Sequence, residues 1–177
     1  MAKYRRVFKD GYSYFLTVVT ENREPILIDN IEILRKSFAL SIKRYRYKLD
    51  AVVIMPEHFH MIITPKSAKD YPKIVSHIKR AFTYGLDSSI KDRAKESLSI
   101  SKEKRKYSGI WQKRFFEHTI RNKEDFKLRF DYIHFNPVKH GLVKKVRDWE
   151  YSSFHKYVKM GWYHHDWGDF DESIDFE

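Results

Sequence analysis

Apolar and polar positions along the chain change period several times, and each change marks an element. Residues 12–20, Tyr-Ser-Tyr-Phe-Leu-Thr-Val-Val-Thr, are β-branched or aromatic nearly throughout and predict a first strand. Pro25 and Asp29-Asn30 punctuate the loop after it. Ile31, Leu34, Phe38, Ile42 and Tyr45 then recur at three- and four-residue steps, which predicts a helix over 30–47. Its other side carries Arg35, Lys36, Lys43, Arg44 and Arg46. Apolar runs at 49–55 and 58–64 predict two further strands. Met55-Pro56-Glu57 between them makes a tight antiparallel hairpin, since proline cannot donate to a ladder.

A second helix fits 70–86, with Ile74, Ile78, Ala81 and Phe82 inward and Lys73, Lys79 and Arg80 outward. Residues 87–109 hold seven Lys or Arg without a persistent period, and read as a mobile basic segment with at most a short helix in its middle. A fourth strand fits 115–120. Asn122 caps a third helix, with Glu124 and Asp125 in its first turn. Asn136-Pro137 is expected to end it near Phe135, because a residue before proline disfavours helical geometry. Strand, helix, strand, strand, helix, strand, helix is an α+β order. It predicts a ferredoxin-like plan: one antiparallel sheet with helices packed against one face.

The chain has 177 residues, enough for one domain with a sizeable core. It has no cysteine, which excludes disulfides and thiolate-ligated metals and leaves histidine and oxygen donors. No signal peptide or membrane-length apolar run is evident, so a soluble cytoplasmic protein is expected. The net charge of +11 is uneven: all 35 Lys and Arg, but only 18 of the 24 acids, precede His164. This divides the chain into a basic domain, 1–163, and an acidic tail, 164–177. A basic domain with twelve tyrosines and thirteen phenylalanines suits a polyanion whose bases can stack on rings.

His58-Phe59-His60 is the sharpest candidate for chemistry. Residues two apart on a strand share a face, so both imidazoles project together while Phe59 faces the other layer. Paired imidazoles are half of a divalent-metal site. Tyr132 and Asn136, four residues apart, share a helix face about 6 Å apart along the axis.

Four segments occur in the order of one family: residues 14–19, 55–60, 111–121 and 131–143, the last reading Asp-Tyr-Ile-His-Phe-Asn-Pro-Val-Lys-His-Gly-Leu-Val. Together they resemble the REP-associated tyrosine transposases, relatives of the IS200-like single-tyrosine transposases. The hydrophobic residue between two histidines is the HUH signature of such enzymes. The resemblance covers about residue 4 to Gly168. It implies a ferredoxin-like HUH fold and a metal-dependent transesterification on single-stranded DNA or DNA hairpins of the repeated-palindrome type. Carried over by position, Tyr132 is the nucleophile that forms a 5′-phosphotyrosine link, and His58 and His60 are ligands for Mg²⁺ or Mn²⁺. Related insertion-sequence enzymes carry glutamine four residues after the tyrosine; the amide here belongs to Asn136, one methylene shorter. Glu57 is the alternative oxygen donor, although strand alternation aims it at the opposite face. His118 and His134 lie close enough in the motifs to serve as bases.

Lys79, Arg80, Arg114, Arg121, Lys139, Lys144 and Lys145 are candidate phosphate contacts, with Trp111 or Phe115 as a stacking ring. The expected protein acts at the bacterial nucleoid, as a monomer in preference to a homodimer. Two alternatives stay open from the residues: a hairpin-binding protein without chemistry, and a metal-dependent phosphodiesterase that uses water.

Overall fold

The computed structural model describes residues 8–104 and 107–169. Four strands, β1 (Tyr14–Val19), β2 (Lys48–Ile54), β3 (His58–Thr64) and β4 (Phe116–Thr119), form one sheet in the order β2-β3-β1-β4, with every neighbouring pair antiparallel. This is the ferredoxin-like strand order. The hairpin between β2 and β3 closes through the Met55 N–H donating to the His58 carbonyl at 2.8 Å. The carbonyls of Pro56 and Glu57 accept from Leu27 and Thr20, so the turn is tied to the end of β1.

Strand alternation divides the side chains between two cores. Tyr14, Leu16, Val18, Phe59, Met61 and Ile63 face α1 (Ile31–Tyr45) and α2 (Tyr71–Gly85). Phe15, Ala51, Val53 and Ile62 face α5 (Lys123–Lys139) and α6 (Phe154–Lys159). Helices therefore cover both faces, not one as the pattern suggested. The second layer comes from segments after β4, whose side was not encoded in the element order. A bulge in β2 between Leu49 and Ala51 lets the two cores share that strand, with Leu49 and Val52 on the first side and Ala51 and Val53 on the second. The open edge of β2 is covered by the 151–153 segment, where Ser153 N–H donates to Val52 O and Ile54 N–H to Tyr151 O.

Two helices, α3 (Ser88–Glu96) and α4 (Ile100–Lys104), occupy much of the segment read as a mobile stretch. Asp87 caps α3 by accepting from the Ser89 N–H at 2.8 Å. Its apolar side is only Ile90 and Ala94, packed on the first core, too short a stripe to register as a period. The six-residue α6 was not anticipated at all.

α5 does not stop at Phe135 but continues through Pro137 to Lys139. Proline there forfeits its N–H bond and crowds the carbonyl four residues back, but it does so within the last turn. The end is closed by a Schellman motif: Leu142 N–H donates to Pro137 O, Gly141 N–H donates to Val138 O, and Gly141 takes φ +69°. The acidic segment begins packed, not free. Arg147 pairs with Asp166 and Asp169 at 2.5 and 2.8 Å, Lys145 pairs with Asp169 at 3.3 Å, and Trp167 lies 4.5 Å from the Tyr163 ring. Residues 170–177 of the expected tail lie outside the described residues.

His134 is a structural residue of the second core. It is fully buried, with Nε2 2.8 Å from Ser153 Oγ and Nδ1 3.2 Å from the Tyr163 hydroxyl. Burial pushes its pKa down to about 3. Between that value and the ordinary 6.5, the unfolded chain binds a proton that the folded chain refuses. His134 therefore costs stability as pH falls from 6.5 towards 3, by up to about 1.4 kcal/mol per pH unit. The Tm of His134→Gln, scanned between those limits, is expected to fall less steeply with acid than that of the native protein.

Candidate active site

β3 presents both histidines to the α5 face of the sheet. His58 and His60 are 4% and 5% exposed, and their Nε2 atoms stand 3.2 Å apart. Each ring is oriented from behind. Glu57 Oε1 lies 2.8 Å from His58 Nδ1, and Thr17 Oγ1 lies 2.8 Å from His60 Nδ1. A carboxylate can only accept, so His58 Nδ1 carries the hydrogen and the neutral ring offers its Nε2 lone pair. Glu57 is thus the orienting partner of the His58 ring, also 3.6 Å from Arg23, and not an open donor.

Burial pulls the His58 pKa below its usual value, against the raising effect of Glu57. Burial, with His58 and His140 nearby, pulls His60 well below. Both rings are neutral at physiological pH, the state a metal requires. The 3.2 Å between the two Nε2 atoms suits either one N–H donated from ring to ring or a cation held between two lone pairs. A cis pair of nitrogen ligands at about 2.1 Å would stand about 3 Å apart, close to what is found.

α5 crosses this pair with one face. The Tyr132 ring is 5.3 Å from the His60 ring and 5.9 Å from Phe15, which itself stacks on His60 at 5.4 Å. Eight residues on, the His140 ring is 5.6 Å from His58. Asn136, midway between them on the helix, is completely buried, and neither its Oδ1 nor its Nδ2 has a hydrogen-bond partner. A buried amide left unsatisfied costs about 1–3 kcal/mol per group. Among the described residues no three His, Cys, Asp or Glu side chains are grouped for a metal, and the Asn136 amide oxygen is a hard donor of the kind Mg²⁺ and Mn²⁺ accept. The donor set of two neutral imidazoles and one orphaned amide oxygen fits a divalent ion. Asn136→Leu is expected to raise Tm by a few degrees in calorimetry while weakening Mn²⁺ binding about tenfold or more in titration calorimetry.

"Transposase IS200 like" is the family description that matches residues 8–136. The chain belongs to the IS200-like transposases. Within that family it is 36% identical over 169 residues to the REP-associated tyrosine transposase of Escherichia coli K12, covering 94% of this chain and 91% of that one. It is 40% identical over 172 residues to a Haemophilus influenzae protein provisionally described in the same terms, covering 95% and 94%. A solved REP-associated tyrosine transposase bound to a REP hairpin superposes with a TM-score of 0.77 at 33% identity, over 98% of this chain and 96% of that one. The fold and branch suggested by the motifs are those found, and the family is one of tyrosine transposases. Among the described residues, no helix is long and apolar enough to cross a membrane.

The remaining candidates of this transposase separate into groups. Lys79, Arg80 and Trp111 line a groove of about 710 Å³ beside α2, together with Tyr84, Lys91 and Lys113. Trp111 is its floor and not a free stacking ring. It is 6% exposed, packs on Phe59 and Phe82, and donates its indole N–H to the Lys79 carbonyl. Phe115 lies beneath the Lys79 ammonium, 5.9 Å away. Arg121, just before α5, binds Asp125, whereas Lys139 near the end of α5 sets its Nζ 5.3 Å over the Tyr132 ring. Arg114 and Lys144 are exposed, and Lys145 is engaged by Asp169. His118 faces Asp125 at 2.8 Å, on the site's side of the sheet.

Sequence reasoning missed Thr17 and His140. Thr17 gave no signal before the β1–β3 register was known. His140 was legible in the four-residue steps from Tyr132 through Asn136, but was lost when the helix was ended at Pro137.

Proposed function

We propose that this protein cuts and rejoins single-stranded DNA beside hairpins, through a covalent link to Tyr132. The observation that carries the reading is the approach of the Tyr132 ring to His60 within one chain, on one face of the sheet. The comparisons support hairpin DNA as the partner, since a relative of similar fold is bound to a REP hairpin. His58, His60 and Asn136 would hold Mg²⁺ or Mn²⁺. When bound, that ion draws charge from the phosphoryl oxygens.

The chain's own residues do the rest. Tyr132 oxygen attacks phosphorus, a new O–P bond forms, and the P–O3′ bond breaks. The phenolic proton leaves to solvent, and the departing 3′ oxygen takes one up. The product is a 5′-phosphotyrosine and a free 3′-hydroxyl, which can attack in reverse because the phosphodiester energy is kept. Glu57 and Thr17 hold the imidazoles in register, Phe15 and Asn136 border the space in which phosphorus must sit, and Lys139 places positive charge over the phenol. Lys79 and Arg80, with Arg114, Arg121, Lys144 and Lys145, give the backbone of a hairpin cationic contacts. Because nucleophile and imidazoles belong to one chain, a monomer suffices; a protein whose substrate is chromosomal hairpin DNA would act at the nucleoid.

Intact-mass spectrometry tests the reading. Protein incubated with Mn²⁺ and a hairpin carrying unpaired flanks gains the mass of the 5′-phosphorylated 3′ fragment less one water. Cleavage without any such adduct would instead mean that water is the nucleophile.

A further inference from the structure

Beyond the tyrosine and the imidazoles, the same face of the sheet carries an aromatic ring and a cation that the chemistry above does not use. Phe116, on the outer strand β4, is 56% exposed. It pairs with Thr17, and Thr17 pairs with His60, so the three lie in one row across the sheet with Phe116 about 10 Å from His60. Its ring meets Phe15 edge-on at 6.3 Å. Arg129, one turn before Tyr132 on α5, extends its guanidinium over the same Phe15 ring, 5.6 Å from the centroid.

The arginine is poorly occupied. Its Nε is buried without a hydrogen-bond partner. The nearest carboxylate oxygen, of Asp125, is 3.7 Å from it, an ion pair without a hydrogen bond. Asp125 is already engaged by His118 at 2.8 Å and by the main-chain N–H and Nε of Arg121 at 3.0 and 3.2 Å. A guanidinium with unused donors prefers a planar bidentate oxygen acceptor, and a phosphate supplies one. An exposed phenyl ring next to it offers the face on which any base can stack.

We propose that Arg129 and Phe116 form a nucleotide subsite beside the scissile phosphate: the guanidinium takes the neighbouring phosphate, and the phenyl ring stacks on its base. Phe15 is the wall between this subsite and Tyr132, which sets the strand's path from His60 towards β4. The inference rests on the DNA-cleaving reading above and specifies how the strand lies in that site.

Arg129→Met keeps the aliphatic length over Phe15 and removes the donors; Phe116→Leu changes an exposed side chain. The probe is a REP-type hairpin with unpaired flanks, carrying a single methylphosphonate or a single abasic residue at each position on either side of the cut. In the native protein, neutralising one flanking phosphate should slow single-turnover cleavage about tenfold. In Arg129→Met cleavage should be slower by a similar factor, and neutralising that same phosphate should then cost nothing more. Phe116→Leu should behave likewise towards the abasic position, at about tenfold. Penalties that multiply in either variant, or variants that cleave at the native rate, would overturn the proposal.

The same cycles read by fluorescence anisotropy, as dissociation constants, need no cleavage. If the native protein forms no adduct, the cleavage reading fails on its own, while the anisotropy cycles still decide whether the subsite exists.

Discussion

Tyr132→Phe will bind hairpin DNA as the native protein does and will form no covalent adduct. With the 3′ side of the substrate labelled, a denaturing gel should carry label on the native protein and none on the variant, and cleavage should fall by roughly 10³-fold or more. The substitution removes one oxygen and keeps the ring. Its contacts with His60 and Phe15 therefore survive, and a loss cannot be assigned to packing. The size of the effect follows from the role: without the phenol oxygen the side chain has no atom to form the new bond. Cleavage that persists in Tyr132→Phe would transfer the chemistry to water and end the phosphotyrosine mechanism.

His60→Ala should lose at least about 100-fold in Mn²⁺ affinity and fall in cleavage by at least as much. His60 is the more central of the two rings. It touches Phe15, Tyr132 and His58 at once, and its Nδ1 faces Thr17. Titration calorimetry with Mn²⁺ reads the affinity directly, and hairpin binding by anisotropy reads the fold and the DNA surface independently. The expected result is metal affinity lost with hairpin affinity retained. If Mn²⁺ bound the variant as tightly as the native protein, the site between the two imidazoles would be refuted. Acid gives a matching expectation. Burial lowers both pKa values, so protons begin to displace the metal only at a pH below that of an exposed histidine pair.

Much of this site was legible before any coordinates. His58 and His60 had to share a face because a strand repeats every two residues, and Tyr132 and Asn136 had to share one because a helix returns after about four. The strands and the first two helices followed from uninterrupted apolar periods, each long enough for local rules to dominate. The failures were of two kinds. Pro137 was taken as a stop because its local effect is unfavourable, but Pro137 is buried and the helix end is closed by Gly141 and Leu142, and together these outweigh the proline's local cost. α3 and α6 escaped because their apolar stripes are only a few residues wide, and their stability comes from what they pack against.

By itself, the sequence determined the period of each element, the pairing of imidazoles, the amide four residues from the phenol and the basic surface. These are consequences of short-range geometry, which a chain carries wherever it goes. Only the tertiary structure decided which face of the sheet α5 would cover, and hence that Tyr132 meets His60 within its own chain. It also decided that Glu57 and Thr17 stand behind the rings, that His140 joins the site, and that Arg129 lies over Phe15 near Phe116. Except for Glu57 and its neighbour His58, those relations join residues tens of positions apart. They depend on how two cores share one sheet, and no period in the sequence records that.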